Sequence, residues 1–274
     1  MGLSGARLHA AQLLYRHLEQ QREMAAGPMV VATSREEFLR TVTATGRGAS
    51  DAGGEVVHVQ STGSENRVEI AGEPAEKSLH TVDQSVGGST LSDYDALRER
   101  ALECRLCSLC ETRTNVVFSD GNPNARLVVV GEAPGQNEDR TGLPFVGAAG
   151  KLLDLLLASV DLSREDSVYI CNVLKCRPPQ NRNPLPEEIE ACSPYLLRQL
   201  ELVRPDAILA VGTFAGQLLT GADQALGRLR GTVHEYQGIP LVVTYHPAAL
   251  LRNSSWTRSF WEDLQLLRGI LDAG

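Results

Sequence analysis

No stretch of this 274-residue chain approaches the roughly 20 consecutive apolar residues that a helical membrane span requires, and the N-terminus lacks the apolar run of a secretory signal. A cytoplasmic protein with no membrane partner is the expectation. Arg7, Arg16 and Arg22 against Glu19 in the first 22 residues are read as the charged side of an amphipathic helix rather than as a transit peptide. Net positive charge is missing too. Residues 1–100 hold 10 Lys and Arg against 14 Asp and Glu, and the remainder 16 against 20, so each part carries −4 of a formal total of −8. That balance argues against gripping nucleic acid through bulk electrostatics. Any such contact has to come from a local cluster, for which Lys175, Arg177 and Arg182 around a Pro-rich loop are the candidates. No tandem repeat is visible. Residues 142–152 are glycine-rich and carry Gly150-Lys151 ahead of a helix, but a phosphate-binding P-loop would need glycine where Phe145 stands and Ser or Thr where Leu152 stands. A nucleoside triphosphatase is thereby disfavoured, although backbone amides at such a helix entry can still approach a DNA phosphate.

What is present is ordinary for a soluble globular protein: 42% hydrophobic and 22% charged residues. The order along the chain is uneven. A helix with Leu8, Leu13, Leu14 and Leu18 on one side and a short helix opened by a Ser34-x-x-Glu37 capping box precede a Gly/Ser/Thr/Glu tract from Gly46 to Thr90. That tract has too little apolar surface to offset its chain entropy and reads as a linker, with at most a short strand at Val56–Val59. Order resumes at Ser92, whose partner Asp95 marks a helix start continued by Leu97 and Ala101. Beyond it, apolar runs at 126–130, 167–174, 207–211 and 241–245 alternate with helical stretches at 150–160, 186–203 and 214–219, and a last helix at 257–271 carries Phe260, Trp261, Leu264 and Leu267. Continuous apolar strands imply burial on both faces, and strand–helix alternation implies a parallel sheet. The expected fold is a three-layer α/β/α sandwich around a mainly parallel sheet of about four strands over residues 91–274, behind a disordered or weakly helical extension over 1–90.

Ligands of open parallel sheets sit beyond the carboxyl ends of the strands. There the chain offers Glu132 after the first strand, Asn172 near the end of the second and His246 after the fourth. Each alone has a bland explanation, as a solvated carboxylate, a strand-end amide or a packed loop histidine. Their convergence on one edge favours a site.

Six cysteines, Cys104-x2-Cys107-x2-Cys110 and then Cys171, Cys176 and Cys192, occur without secretory features, which argues against disulfides. Two thiolates on one turn closed by two remote ones read as a metal or cluster site. Spacing alone separates neither zinc from iron–sulfur nor Cys107 from Cys110 as the partner of Cys104.

From Cys104 to about Asp263, some 160 residues, the chain resembles the family 4 uracil-DNA glycosylases. The matching motifs are Gly131-Glu132-Ala133-Pro134-Gly135, Glu138-Asp139, Gly142-x-Pro144-Phe145-Val146-Gly147, Asn172-x-x-Lys175-Cys176-Arg177-Pro178-Pro179, Asn181-Arg182 and Tyr245-His246-Pro247. The resemblance implies a monomeric base-excision repair enzyme that flips uracil out of DNA and hydrolyses its glycosidic bond. It implies a structural [4Fe-4S] cluster on Cys104, Cys107, Cys176 and Cys192, leaving Cys110 and Cys171 as extras, of which Cys110 could substitute for Cys107. Glu132 would orient water and His246 would donate to uracil O2. Ala133, Glu138, Phe145 and Asn172 would line the uracil pocket, Phe145 by stacking, Asn172 by reading O4 and N3–H, and Glu138 by excluding the thymine methyl. Lys175, Arg177, Arg182 and Arg252 would touch DNA. A relative that traps DNA covalently carries a His-bearing basic insertion; Arg177 to Pro184 is short and has no histidine, so trapping is not expected. The extension lies outside the resemblance and would serve a protein partner. The competing readings are a non-enzymatic iron–sulfur module on this fold, which has no need of Glu132, Asn172 and His246 together, and a related glycosylase of broader range, which has an apolar residue in place of Glu132.

Overall fold

The computed structural model describes residues 90–273. The expected N-terminal helices, the Val56–Val59 strand and the linker from Gly46 lie outside the described residues. Helix α1 (Thr90–Leu102) leads through a 3-10 turn at Ser108–Glu111 to β1 (Asp120–Gly121) and β2 (Leu127–Gly131). Then follow α2 (Gln136–Thr141), α3 (Ala148–Ala158), β3 (Val168–Asn172), α4 (Pro186–Val203), β4 (Ala207–Val211), α5 (Thr213–Thr220) and α6 (Leu226–Leu229). The chain closes with β5 (Val233–Tyr236), β6 (Ile239–Thr244), α7 (Pro247–Arg252) and α8 (Thr257–Ala273).

Among the described residues the sheet has six strands, in the order β1-β3-β2-β4-β6-β5. The four expected strands are its parallel centre, and β1 and β5 are added antiparallel at the two edges. The count of about four is corrected to six for a physical reason. β2, β3 and β4 are buried at every position, whereas β1 is the polar pair Asp120-Gly121 and β5 alternates exposed and half-buried residues. An edge strand buried on neither face has no continuous apolar run to betray it. Helix α1 likewise starts at Thr90, two residues ahead of the expected Ser92.

Alternation along β2 separates two cores. Leu127 and Val129 pack with Leu152, Leu153, Leu156 and Leu157 of α3 and Phe260, Leu264 and Leu267 of α8. Val128 and Val130 face Leu196, Leu200 and Val203 of α4 and Ala215 and Leu219 of α5. Successive side chains of a strand point to opposite faces, so one short apolar run holds a helical layer on each side. Each fully buried Leu or Val contributes about 1.5–3 kcal/mol. The result is the three-layer α/β/α sandwich, and no helix among the described residues is long and apolar enough to cross a membrane.

Candidate active site

The parallel register brings Gly131 at the end of β2 beside Asn172 at the end of β3, while β6 runs on through Tyr245 into His246. β2 has β3 on one side and β4 on the other, so the chain reverses direction across the sheet here, where a crevice opens at the carboxyl ends of the strands. A cleft of about 420 Å³ occupies this place, bounded by Glu132, Ala133, Glu138, Phe145, Asn172, Arg182, His246 and Arg252 among others. Both expected catalytic residues and all four expected base-pocket residues therefore border one cavity.

Gly131 is where the crowding is greatest. A Cβ there would lie 2.3 Å from Asn172 Oδ1 and 2.6 Å from the Phe145 ring. Only glycine lets both side chains close over the strand end. Asn172 is 2% exposed, and its Oδ1 is buried with no hydrogen-bond partner among the described residues. A buried acceptor without a donor costs about 1–3 kcal/mol, so a ligand that brings a donor to this point recovers that cost. Phe145 holds a left-handed backbone (φ 53°), unusual for an aromatic residue, and its ring stacks on His246 with centroids 5.5 Å apart at 26°. Three groups force that conformation. Arg164 donates from Nη1 to Pro144 O and from Nη2 to Phe145 O, both at 2.8 Å. Glu138 Oε1 accepts from the amides of Val146 and Gly147, both at 2.9 Å. Gly150 leaves room for the Phe145 carbonyl, which would stand 1.7 Å from a Cβ there.

His246 is the N-cap of α7, and its Nδ1 accepts from the Ala248 amide at 3.2 Å. The neutral ring therefore carries its proton on Nε2. Burial, with nearby Arg252 adding repulsion, lowers its pKa to about 4, against a weaker pull from Glu138. The ring is an uncharged N–H donor at neutral pH. Behind it Gly212 holds a positive φ of 101° that favours glycine, although a Cβ there would make only ordinary contact with His246 Cβ, at 3.4 Å. Glu132 is half-buried in the same cleft, and desolvation raises its pKa above the ordinary carboxylate value.

The cations depart from expectation. Lys175 is 2% exposed and donates from Nζ to Asn172 O at 2.7 Å and to Gln199 Oε1 at 2.5 Å, so it is unavailable to a phosphate; the DNA-contacting expectation for Lys175 is corrected. Arg182 reaches the cleft, but its guanidinium is clamped in two hydrogen bonds by the buried carboxylate of Glu188. Arg177, itself not part of the cleft lining, donates at 2.7 Å to Oδ1 of Asn181, which is. Arg252 is exposed on the rim with no ion pair among the described residues. The amides at the entry to α3 also differ from expectation, being bound by Glu138. Glu138 lines the pocket mainly as the anchor of the Phe145 loop. Two residues with no expected role, Arg164 and Gln199, buttress the site. Arg164 looks like a solvated charge in its local sequence. Gln199 carried a signal, as a polar residue on the apolar face that Leu196, Leu200 and Val203 give to α4.

Cys104, Cys107, Cys110, Cys176 and Cys192 line one small cavity with Arg113 and Lys175, whereas Cys171 is buried in the sheet away from it. N–H donors point at two of the sulfurs: Arg113 Nη1 at Cys176 Sγ and the Lys175 amide at Cys192 Sγ, both 3.2 Å. Burial pushes the thiols of Cys107 and Cys176 up, and that of Cys192 to about 11. No three His, Cys, Asp or Glu side chains among the described residues close on one point as the ligands of a single ion would. The donors nonetheless fit a thiolate-bound cluster: soft sulfur ligands, N–H groups aimed at them, and a loop and two helices meeting around one space.

A family model described as the uracil DNA glycosylase superfamily matches residues 118–265. The chain is similar to the type-4 uracil-DNA glycosylase of Archaeoglobus fulgidus, 47% identical over 183 residues, which are 64% of this chain and 92% of that relative. It is similar to the type-4 enzyme of Thermotoga maritima, 48% identical over 163 residues (59% and 84%), and to that of Sulfurisphaera tokodaii, 40% identical over 186 residues (65% and 84%).

Proposed function

Because the chain belongs to the uracil-DNA glycosylase superfamily, we propose that it is an iron–sulfur, type-4 uracil-DNA glycosylase that removes uracil from DNA and leaves an abasic site for base-excision repair. The target base has to leave the helix stack, at a cost of a few kcal/mol that is lowest at a mismatch such as U:G. The cleft at the strand ends receives it, and Phe145 supplies the apolar wall on which the ring stacks.

The observation that carries this reading is the partnerless, buried Oδ1 of Asn172 in the lining of the cleft. Uracil N3–H satisfies it, while the amide nitrogen donates to O4. Cytosine presents an acceptor at N3 and a donor at N4, which leaves both buried groups mismatched. Discrimination arises from the penalty on the wrong base.

Breaking the glycosidic bond builds positive charge on the sugar and negative charge on the departing uracil. His246 Nε2–H donates to O2, where the negative charge grows; it is fixed in place by its cap on α7, so no reorganisation accompanies the reaction. Glu132 orients the attacking water and faces the sugar cation as a carboxylate. Arg252, at the rim, is the cation offered to a phosphate.

Cys104, Cys107, Cys176 and Cys192 hold a [4Fe-4S] cluster in this reading, with Cys110 the alternative to Cys107. The support for this reading is the set of soft sulfur donors around one cavity, with N–H groups aimed at two of them. The cluster supplies cross-linking, since hydrolysis moves no electron to or from the substrate.

Excision from a labelled oligonucleotide with one U:G pair, followed by alkaline cleavage of the abasic product, tests the activity. Cleavage at uracil and not at cytosine or thymine is expected. A folded protein that leaves uracil intact overturns the proposal, and a preparation without iron and visible absorption overturns the cluster.

A further inference from the structure

We infer that Lys175, held by Gln199, is a positioning residue for uracil selectivity: its buried ammonium locks the Asn172 peptide and thereby aims the reading amide. The inference rests on Asn172 reading uracil. Lys175 Nζ donates to the main-chain oxygen of the residue whose side chain faces the base (2.7 Å) and to Gln199 Oε1 (2.5 Å), and it lies 6.0 Å from the centroid of the Phe118 ring. No carboxylate pairs with it among the described residues. Its hydrogen-bond acceptors are two neutral oxygens, so no direct ion pair repays the desolvation that an apolar chain of similar length would avoid, and the sulfurs of Cys171 and Cys192 act on it only through space. What it provides is a directed, charge-assisted bond to one carbonyl.

Gln199 cannot turn away from this task. Its Nε2 donates to Phe118 O at 3.1 Å and to the Tyr169 hydroxyl at 2.8 Å, which leaves Oε1 facing Lys175. The Tyr169 hydroxyl in turn lies 3.2 Å from that of Tyr94, which is 2.8 Å from Ser119 Oγ. The peptide after Asn172 is thus tied to α1, β3 and α4. Its amide side is held as well, since Val173 N donates to Gly131 O at 2.9 Å. With both ends of the peptide fixed, the Cα–Cβ direction of Asn172 is fixed, and Gly131 closes over its Oδ1. A misplacement of about 1 Å in such a group costs on the order of a hundredfold in rate.

The test measures single-turnover excision of uracil, binding of free uracil and binding of abasic DNA by the full chain and by Lys175→Met, Gln199→Leu and Gln199→Glu. Lys175→Met is expected to lower excision and free-uracil affinity roughly ten- to hundredfold, the effect of losing one hydrogen bond from a charged donor. Its affinity for abasic DNA, its visible absorption and its unfolding midpoint should stay near those of the unaltered chain. Should Lys175→Met fail to fold, the Gln199 pair decides: Leu, which removes acceptor and donor, weakens uracil binding, and Glu, which keeps an acceptor for Lys175 but loses the donor to Phe118 O, weakens it less. Folded variants with unaltered rate and uracil affinity overturn the inference, as does equal loss of uracil and abasic-DNA binding, which marks a merely structural role. If the unaltered chain itself neither binds nor excises uracil, the functional reading fails and this one with it.

Discussion

Gly131 shows how much of this site rests on one missing methyl group. Adding a Cβ forces Asn172 Oδ1 or the Phe145 ring, or both, from positions 2.3 and 2.6 Å away. Gly131→Ala is therefore expected to keep the fold and lose about a hundredfold in excision rate, read by single-turnover kinetics alongside thermal unfolding. At the next strand end, Asn172→Asp replaces a donor–acceptor pair with a carboxylate that only accepts, so discrimination between uracil and cytosine should weaken. Unchanged discrimination in that variant contradicts its reading role. His246 connects the site to pH. Its pKa is about 4 in the fold against 6.5 for an ordinary histidine, so the unfolded chain takes up the proton first as pH falls. The stability due to the neutral ring is fully present above about 6.5 and is lost as pH drops toward 4. His246→Gln should show a smaller loss of unfolding temperature between pH 7 and pH 5 than the unaltered chain, and about a hundred- to thousandfold lower activity at pH 7. Catalysis by the unaltered protein should instead decline on the acid side through Glu132, whose pKa, raised by burial, brings protonation in at a higher pH than for an ordinary carboxylate.

Among the elements, the loop between α2 and α3 carries the least tolerance. Phe145 is held in its left-handed conformation by Arg164 from one side and Glu138 from the other, and Arg164 also pairs with Asp120 of β1 and Asp154 of α3. Arg164→Leu removes the donors to two carbonyls at once. Excision is expected to fall ten- to a hundredfold while abasic-DNA binding through the rim persists, and loss of both together would show that Arg164 serves the fold alone. The elements themselves were unequally legible. α4 matches its expected span of 186–203, because an amphipathic pattern of that length has one reading, and the four parallel strands announced themselves as apolar runs. α2, with the sequence Gln-Asn-Glu-Asp-Arg-Thr, has no apolar stripe to mark it, and α7 follows directly on His246. That unrecognised helix is what makes His246 a cap and determines which of its nitrogens bears the proton.

For the whole molecule, about two thirds of the chain matches 92% of the length of the Archaeoglobus fulgidus relative. Excision should therefore survive deletion of residues 1–89, measured on the truncated protein with its iron retained; loss of activity in a folded, iron-loaded truncation would assign the extension a part in the reaction. What the sequence determined unaided was the alternation of strand and helix, the place of the cleft and the presence of Glu132, Asn172 and His246 in its lining, since burial pattern and strand-end position are written in local residue order. Tertiary structure alone decided the rest. It turned Lys175 inward, spent Arg182 on Glu188, enlisted Arg164 and Gln199, and gathered five of six cysteines around one cavity. The physical reason is that a charged side chain finds its partner across the fold: Lys175 and Gln199 lie 24 residues apart, and whether such a charge meets solvent, phosphate or a buried oxygen depends on what the fold places against it.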